Sequence, residues 1–164
     1  MAYGDPEGGG VGGWLAFLVL VLAVFRPLAV LVSTVANLYG DPNVALAYGA
    51  VWPTVQAFEW LLNAAMIGGC WYLAWRLYYR PVWRTVPITI AGIWLVSVAY
   101  QLIDLAGVSV ISGAPFGLLI GYVVRPLVQS VIFSALWTAY LLRSKRVANT
   151  YLRHDEREVA EVFG

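Results

Sequence analysis

The sequence predicts an all-α, polytopic membrane protein whose four transmembrane helices form an antiparallel bundle. Its composition is the first reason: 61% of the 164 residues are hydrophobic and 12% are charged, whereas about a quarter of a soluble domain is charged. The second reason is that four apolar stretches each exceed the roughly 20 residues needed to cross a bilayer. The third is that each stretch contains a charged residue well inside it, which is typical of helices that contact one another within a membrane.

The four spans are predicted at residues 14–37, 52–79, 86–110 and 117–142, within a single transmembrane domain from 14 to 142. The glycine-rich segment 1–13 contains no Lys or Arg, so it lacks the basic start of a secretory signal. The first span is therefore predicted to be an uncleaved helix. After the last span, residues 143–164 are predicted to form a charged helix or tail.

The distribution of the cations predicts the orientation of the spans. Eight of the ten Lys and Arg residues lie around the linker between the second and third spans or after the fourth span. None lies in the linkers 38–51 and 111–116. Since cytoplasmic segments carry the excess of Lys and Arg, both termini are predicted to be cytoplasmic. The two cation-free linkers contain the turn-forming sequences 40–43 and 112–115 and are predicted to be turns on the outer side.

One charged side chain lies deep inside each span, and the four are Arg26, Glu59, Asp104 and Arg125. At a helical rise of 1.5 Å per residue, they lie ~16, ~10, ~9 and ~12 Å from the outer surface. All four are therefore expected in the outer half of a hydrocarbon core about 30 Å thick. Because short linkers make consecutive helices neighbours, two ion pairs are predicted, Arg26–Glu59 and Asp104–Arg125.

Amide and hydroxyl side chains share the helical faces of these charges. The spacing of three, four or seven residues places each polar set on one face of its helix. The sets are Arg26, Ser33 and Asn37; Gln56, Glu59 and Asn63; Ser97, Gln101 and Asp104; and Tyr122, Arg125 and Gln129. The predicted site is one ionic cluster of Arg26, Glu59, Asn63, Gln101, Asp104, Arg125 and Gln129.

This cluster has two interpretations: its ion pairs fix the register of the helices, or it binds a ligand. The prolines that follow the two arginines add a second ambiguity. Pro27 and Pro126 leave the carbonyls of Ala23 and Tyr122 without their helical donors. Such carbonyls either coordinate an ion or a water or are tolerated in packing at a kink.

The sequence contains none of the common catalytic or cofactor motifs for zinc, phosphate or dinucleotide sites. Its only histidine, His154, lies beyond the last span, and its only cysteine, Cys70, excludes an intrachain disulfide. Cys70 is interpreted as a small buried residue. Glu59 and Asp104 are not predicted to be an acid–base pair, since an arginine at similar depth would hold each of them ionised. We therefore predict a protein without enzymatic activity, cofactor, metal or nucleic-acid partner.

A ladder of small residues, Gly113, Gly117 and Gly121, leads into the fourth span. Glycines spaced by four residues let another helix approach closely in a membrane. The ladder is interpreted either as packing within one chain or as a contact face, for a homodimer or for another membrane protein. The remaining partner predicted for the chain is the lipid bilayer itself.

Both ends of the transmembrane domain carry the motifs of a known family. A Gly-Gly-Trp-Leu sequence opens the first span at 12–15, Arg-Pro-Leu follows at 26–28, and Phe-Glu lies in the second span at 58–59. Ser-Lys-Arg-Val and Asn-Thr-Tyr follow the fourth span at 144–147 and 149–151. Over nearly its whole length the chain resembles the YdgK-like bacterial inner-membrane proteins, the domain of unknown function 2569. The resemblance implies a four-helix protein of the bacterial inner membrane, without an established activity.

Two functions are compatible with these features. The first is a non-enzymatic membrane module that is held together by the ionic cluster and binds lipids or partner proteins. The second is a small transporter, in which Glu59 or Asp104 exchanges a proton or a cation against an anionic group held by Arg26 or Arg125. A dry cluster paired one to one would favour the first function, whereas a cavity or an unpaired charge would favour the second.

Overall fold

The computed structural model describes residues 11–151, so parts of the predicted segments 1–13 and 143–164 lie outside it. Within that range the fold is all-α, as predicted, and contains no strand. Its five helices are α1 (Trp14–Tyr39), α2 (Pro42–Tyr48), α3 (Trp52–Tyr79), α4 (Thr85–Ser112) and α5 (Phe116–Arg143). α1 and α4 each include one π-helical turn, Val21–Phe25 and Leu95–Ala99. A further helical stretch at 145–151 follows α5.

α1 and α4 are long and apolar enough to cross a membrane. α3 also runs over 28 residues, but its polar and aromatic side chains, among them Gln56 and Glu59, make it less apolar. α5 has the same length. The chain is thus an all-helical protein with two candidate spans in the part that the structure describes.

The linker 38–51 contains a helix, α2, and the prediction that this linker is a simple turn was wrong. The carboxylate of Asp41 accepts a hydrogen bond from the backbone N–H of Asn43 at 2.8 Å. Pro42 occupies the first helical position, where no backbone N–H is needed. The residues that suggested a turn therefore also begin a helix, which ends at Gly49 with a φ of 54°.

The core of the bundle is asymmetric. α1 packs against α3, α3 against α4 and α4 against α5. The buried core lies at the end where α1 and α4 begin and α3 and α5 end, and its largest members include Leu15, Leu18, Leu22, Leu77, Ile93, Leu141 and Tyr151. Cys70 belongs to this core, as predicted. The opposite end buries few apolar side chains, and a cavity remains there.

The helical stretch after α5 closes the packed end of the bundle. Tyr151 is fully buried, and its hydroxyl donates to the backbone carbonyl of Leu77 at 2.8 Å. That carbonyl is among the last of α3, which have no helical donor. Arg146 lies over Gly12, where a Cβ would come within 2.6 Å of a guanidinium nitrogen. Gly13 begins α1 with a φ of 57°, which a side chain would strain, so the motifs at the two sequence ends meet in one contact.

Candidate functional site: an acidic cavity

A cavity of about 640 Å³ lies at the loosely packed end of the bundle. All five helices contribute to its walls, and its polar lining residues are Asn37, Tyr48, Trp52, Glu59 and Asp104. The rest of the lining is apolar. Small-ligand sites have volumes of about 300–1,000 Å³ and combine apolar walls with a few convergent polar groups. The cavity has the size and the character of such a site.

Glu59 of α3 and Asp104 of α4 bring two carboxyl groups together in this cavity. They lie close enough for the charge of Asp104 to act on the carboxyl group of Glu59. The buried Oδ1 of Asp104 has no hydrogen-bond partner among the described residues. Two adjacent carboxylates repel each other, and a cation or a proton held between them removes that repulsion.

Asn63 and Tyr100 support this carboxyl pair. The amide nitrogen of Asn63 donates to the backbone carbonyl of Glu59 at 2.7 Å and to its carboxylate at 3.5 Å. The hydroxyl of Tyr100 donates to the amide oxygen of Asn63 at 2.6 Å. Asn63 is 1% exposed, so these bonds satisfy a buried amide. They also join α3 to α4 one helical turn away from the carboxyl groups.

Arg26 does not pair with Glu59, and the predicted Arg26–Glu59 ion pair was wrong. Its Nη2 lies 3.5 Å from the backbone carbonyl of Val96, in the π-helical turn of α4. Its guanidinium carbon lies 5.3 Å from the centroid of the Phe133 ring. Instead of a carboxylate, the guanidinium group contacts a backbone carbonyl and an aromatic face.

The carbonyl that Pro27 leaves without a helical donor is bonded to a side chain. The indole N–H of Trp71 donates to the backbone carbonyl of Ala23 at 3.0 Å. Ala23 lies in the π-helical turn of α1, which ends two residues before the proline. The carbonyl of Ala23 is therefore bonded within the protein. This agrees with the interpretation that the proline is tolerated in packing.

The predicted Asp104–Arg125 ion pair was also wrong, and the described residues contain no salt bridge. Val123 of α5 lines the cavity. Arg125 follows two residues later, which corresponds to a rotation of about 200° around the helix axis, so it lies on the opposite side of the helix. Arg125 and Gln129 are exposed on the outside of the bundle.

The inward polar face of α5 consists instead of Ser130 and Ser134, which are buried. Small hydroxyl residues suit close helix contacts. Gln101 of α4 is half-buried and does not line the cavity. The structure therefore brings together three of the predicted site residues, Glu59, Asn63 and Asp104.

Packing within the chain does not explain the glycine ladder. A Cβ added at Gly113, Gly117 or Gly121 would meet nothing within 4 Å in the described part of the chain. Gly113 has a φ of 69° and ends α4 in the left-handed conformation, which is a common role of glycine. The other two glycines leave an open strip along the outside of α5.

Three aromatic residues of the site were missed: Tyr48, Trp52 and Tyr100. The rings of Tyr48 and Trp52 are stacked, with centroids 5.6 Å apart and planes at 23°. Burial first, then the charges of Glu59 and Asp104, raise the pKa of Tyr48, so its hydroxyl remains a donor near them. Tyr48 ends α2 and Trp52 begins α3, so no helical spacing in the sequence signalled their contact.

The comparison with known families places the chain in one of them. A family model described as "Protein of unknown function (DUF2569)" matches residues 9–152. The match includes every residue of the cavity and both terminal motifs that meet at the packed end. No curated protein and no solved structure matches the chain. Since the model covers far more than half of the sequence, the chain belongs to the DUF2569 family.

Proposed function

We propose that the chain is a non-enzymatic protein with four spans in the bacterial inner membrane, and that it binds a cationic ligand in the acidic cavity. The length of α3 and α5, 28 residues each, supports two further spans beside α1 and α4. Large apolar side chains exposed on all four long helices support the same conclusion, for example Val32, Leu61, Leu95 and Leu136. So much exposed apolar surface suits contact with lipid rather than water.

The proposed orientation places both termini in the cytoplasm and the cavity on the outer side. The cationic linker between α3 and α4 lies at the packed end of the bundle, as do Lys145 and Arg146 after α5. This end is expected to be cytoplasmic. The cavity lies at the opposite end, beside α2. A ligand would therefore reach the carboxyl groups from the periplasmic side of the membrane.

The observation that carries the proposal is the pair Glu59 and Asp104, which shares a cavity without a cationic partner in the described residues. Charges of one sign in a cleft with apolar walls raise the local concentration of opposite charge. An unpaired charge in a cavity also fits ligand binding better than a role in helix register. The supporting bonds from Asn63 and Tyr100 keep the pair in place.

The proposal is tested by calorimetric titration of the purified protein with sodium, magnesium and benzyltrimethylammonium chlorides. Sodium benzenesulfonate, compared with sodium chloride at the same sodium concentration, is the anionic control. At least one cation is expected to bind saturably, and the Glu59→Gln variant is expected to bind it at least tenfold more weakly. Asp41→Asn is the matched control: it removes a carboxylate outside the cavity and keeps a good helix cap. Binding that is equal in wild type and Glu59→Gln would refute the proposal.

The other function considered, binding of a partner protein, is favoured by a separate observation. Gly117 and Gly121 leave open space on α5, and Arg125 is exposed on the same helix between apolar residues. An arginine at this depth is costly in lipid. A second membrane helix, from another copy of the chain or another protein, would cover both, independently of what the cavity binds.

A further inference from the structure

We infer that the cation bound by the cavity is organic: a single ammonium group carried on an apolar body. This inference rests on the proposed function, because it names the chemical class of the ligand at the same site. It is carried by the arrangement of three kinds of lining groups: a carboxyl pair, a stacked aromatic pair and apolar side chains.

The aromatic pair supplies the first argument. Tyr48 and Trp52 both line the cavity and are stacked on each other. An ammonium group is attracted to the face of an aromatic ring, most strongly that of tryptophan, and the attraction grows when water is excluded. Glu59 and Asp104 lie in the same cavity, and their charges act on Tyr48. A cation held in the cavity would be attracted both by the carboxyl groups and by the faces of the rings.

The apolar lining supplies the second argument. Val55, Leu105, Val108 and Val123 offer no oxygen to a metal ion. Magnesium and calcium require about six or more oxygen ligands, which are carboxylates, carbonyls or retained waters. An organic cation needs only one charged contact and buries its remaining surface against apolar walls. The cavity is also larger than an ion and a few waters would fill.

The charge of the site supplies the third argument. One positive charge placed between Glu59 and Asp104 relieves their mutual repulsion. Asp104 and Glu59 both line the cavity, so their carboxyl groups attract an ammonium group held there. The ammonium group has two sources: a free amine or quaternary amine in the medium, or the headgroup of a lipid that enters the cavity between the helices. The recognition chemistry is the same for both.

The test uses the full chain in nanodiscs of phosphatidylglycerol, whose headgroup has no ammonium group. Calorimetry measures the binding of benzyltrimethylammonium, with rubidium and magnesium chlorides as inorganic competitors. We expect saturable binding that millimolar rubidium or magnesium does not displace. Trp52→Leu and Tyr48→Leu are each expected to weaken it about tenfold. Trp52→Phe keeps a ring and should retain most of the affinity, and Trp14→Leu, at the packed end, is the matched control.

The outcomes separate this inference from the proposed function. If an inorganic cation binds in a Glu59-dependent way and the organic probe does not, the inference is overturned and the proposed function stands. If no cation binds, both are overturned. If the probe binds equally well to wild type, Trp52→Leu and Tyr48→Leu, the aromatic recognition is wrong. Where the probe binds as expected, displacement by added phosphatidylethanolamine assigns the natural ammonium group to a lipid, and no displacement assigns it to a free amine.

Discussion

The variant Glu59→Gln with Asp104→Asn is expected to lose cation binding by about a hundredfold or more while folding at least as stably as the wild type. A hundredfold loss corresponds to about 2.7 kcal/mol, which is reasonable for charge-assisted contacts to two carboxylates. Stability is expected to be kept or raised because the substitution removes two like charges that lie side by side. Groups selected for binding often reduce stability in this way.

The measurement is a thermal melt of the detergent-solubilised variant beside wild type and Asp41→Asn, followed by cation titration of each. A melting temperature equal to or above that of wild type, together with lost binding, identifies a functional carboxyl pair. A melting temperature several degrees below wild type would show that the carboxylates stabilise the fold through partners. That result would support the other interpretation, in which the carboxyl groups fix the register of the helices.

Tyr151→Ala is expected to destabilise the protein by about 3–5 kcal/mol, which is typical for the loss of a buried aromatic side chain. The ring is completely buried at the end of the core, so its removal leaves a cavity between α3 and the stretch after α5. The loss of its hydroxyl also leaves the carbonyl of Leu77 without a donor. Burial, then the neighbouring Tyr140, raise the pKa of Tyr151, which keeps the hydroxyl protonated and able to donate.

Tyr151→Phe separates the two contributions. It keeps the ring and is expected to cost about 1–3 kcal/mol, the cost of leaving a buried acceptor unpaired. Tyr79→Phe is the matched control, since Tyr79 is exposed at the same end of the bundle. Chemical denaturation in detergent measures all three variants. Equal stability of Tyr151→Ala and wild type would contradict the packing of the C-terminal stretch onto α3.

Apolar run length was sufficient to predict the long helices. Residues 52–79 were predicted as the second span, and α3 has the same bounds. The other three long helices agree with their predicted spans to within two residues at each end. α2 was missed because Asp-Pro-Asn is compatible both with a turn and with a capped helix start. Only the chain after it, which continues helically to Tyr48, distinguishes the two.

The site was predicted in part, because the spacing of polar residues defines a face of a helix but not the direction in which that face points. Glu59 and Asp104 line the cavity, and Asn63 is buried beside them. On α5 the prediction considered only the charged face with Arg125, whereas the structure buries another polar face, with Ser130. Arg26 was misplaced for another reason. A long side chain can bond to a carbonyl in a π-helical turn, and the sequence does not reveal such turns.

The most direct measurement of the central claim, an acidic cavity that opens to the outer side of a membrane bundle, is thiol labelling in intact bacterial cells. Cys70→Ala provides a cysteine-free background, into which Val108→Cys on the cavity wall and Leu136→Cys on the apolar outer surface are introduced singly. Two membrane-impermeant methanethiosulfonate reagents are compared, one with a quaternary ammonium group and one with a sulfonate group.

The account predicts that Val108→Cys is labelled from outside and that the cationic reagent reacts at least tenfold faster than the anionic one. Adding Glu59→Gln and Asp104→Asn should reduce the ratio of the two labelling rates toward the ratio measured for a small thiol in solution. Leu136→Cys should remain unlabelled. Labelling of Val108→Cys only after the cells are made permeable, or at equal rates by both reagents, would contradict the claim.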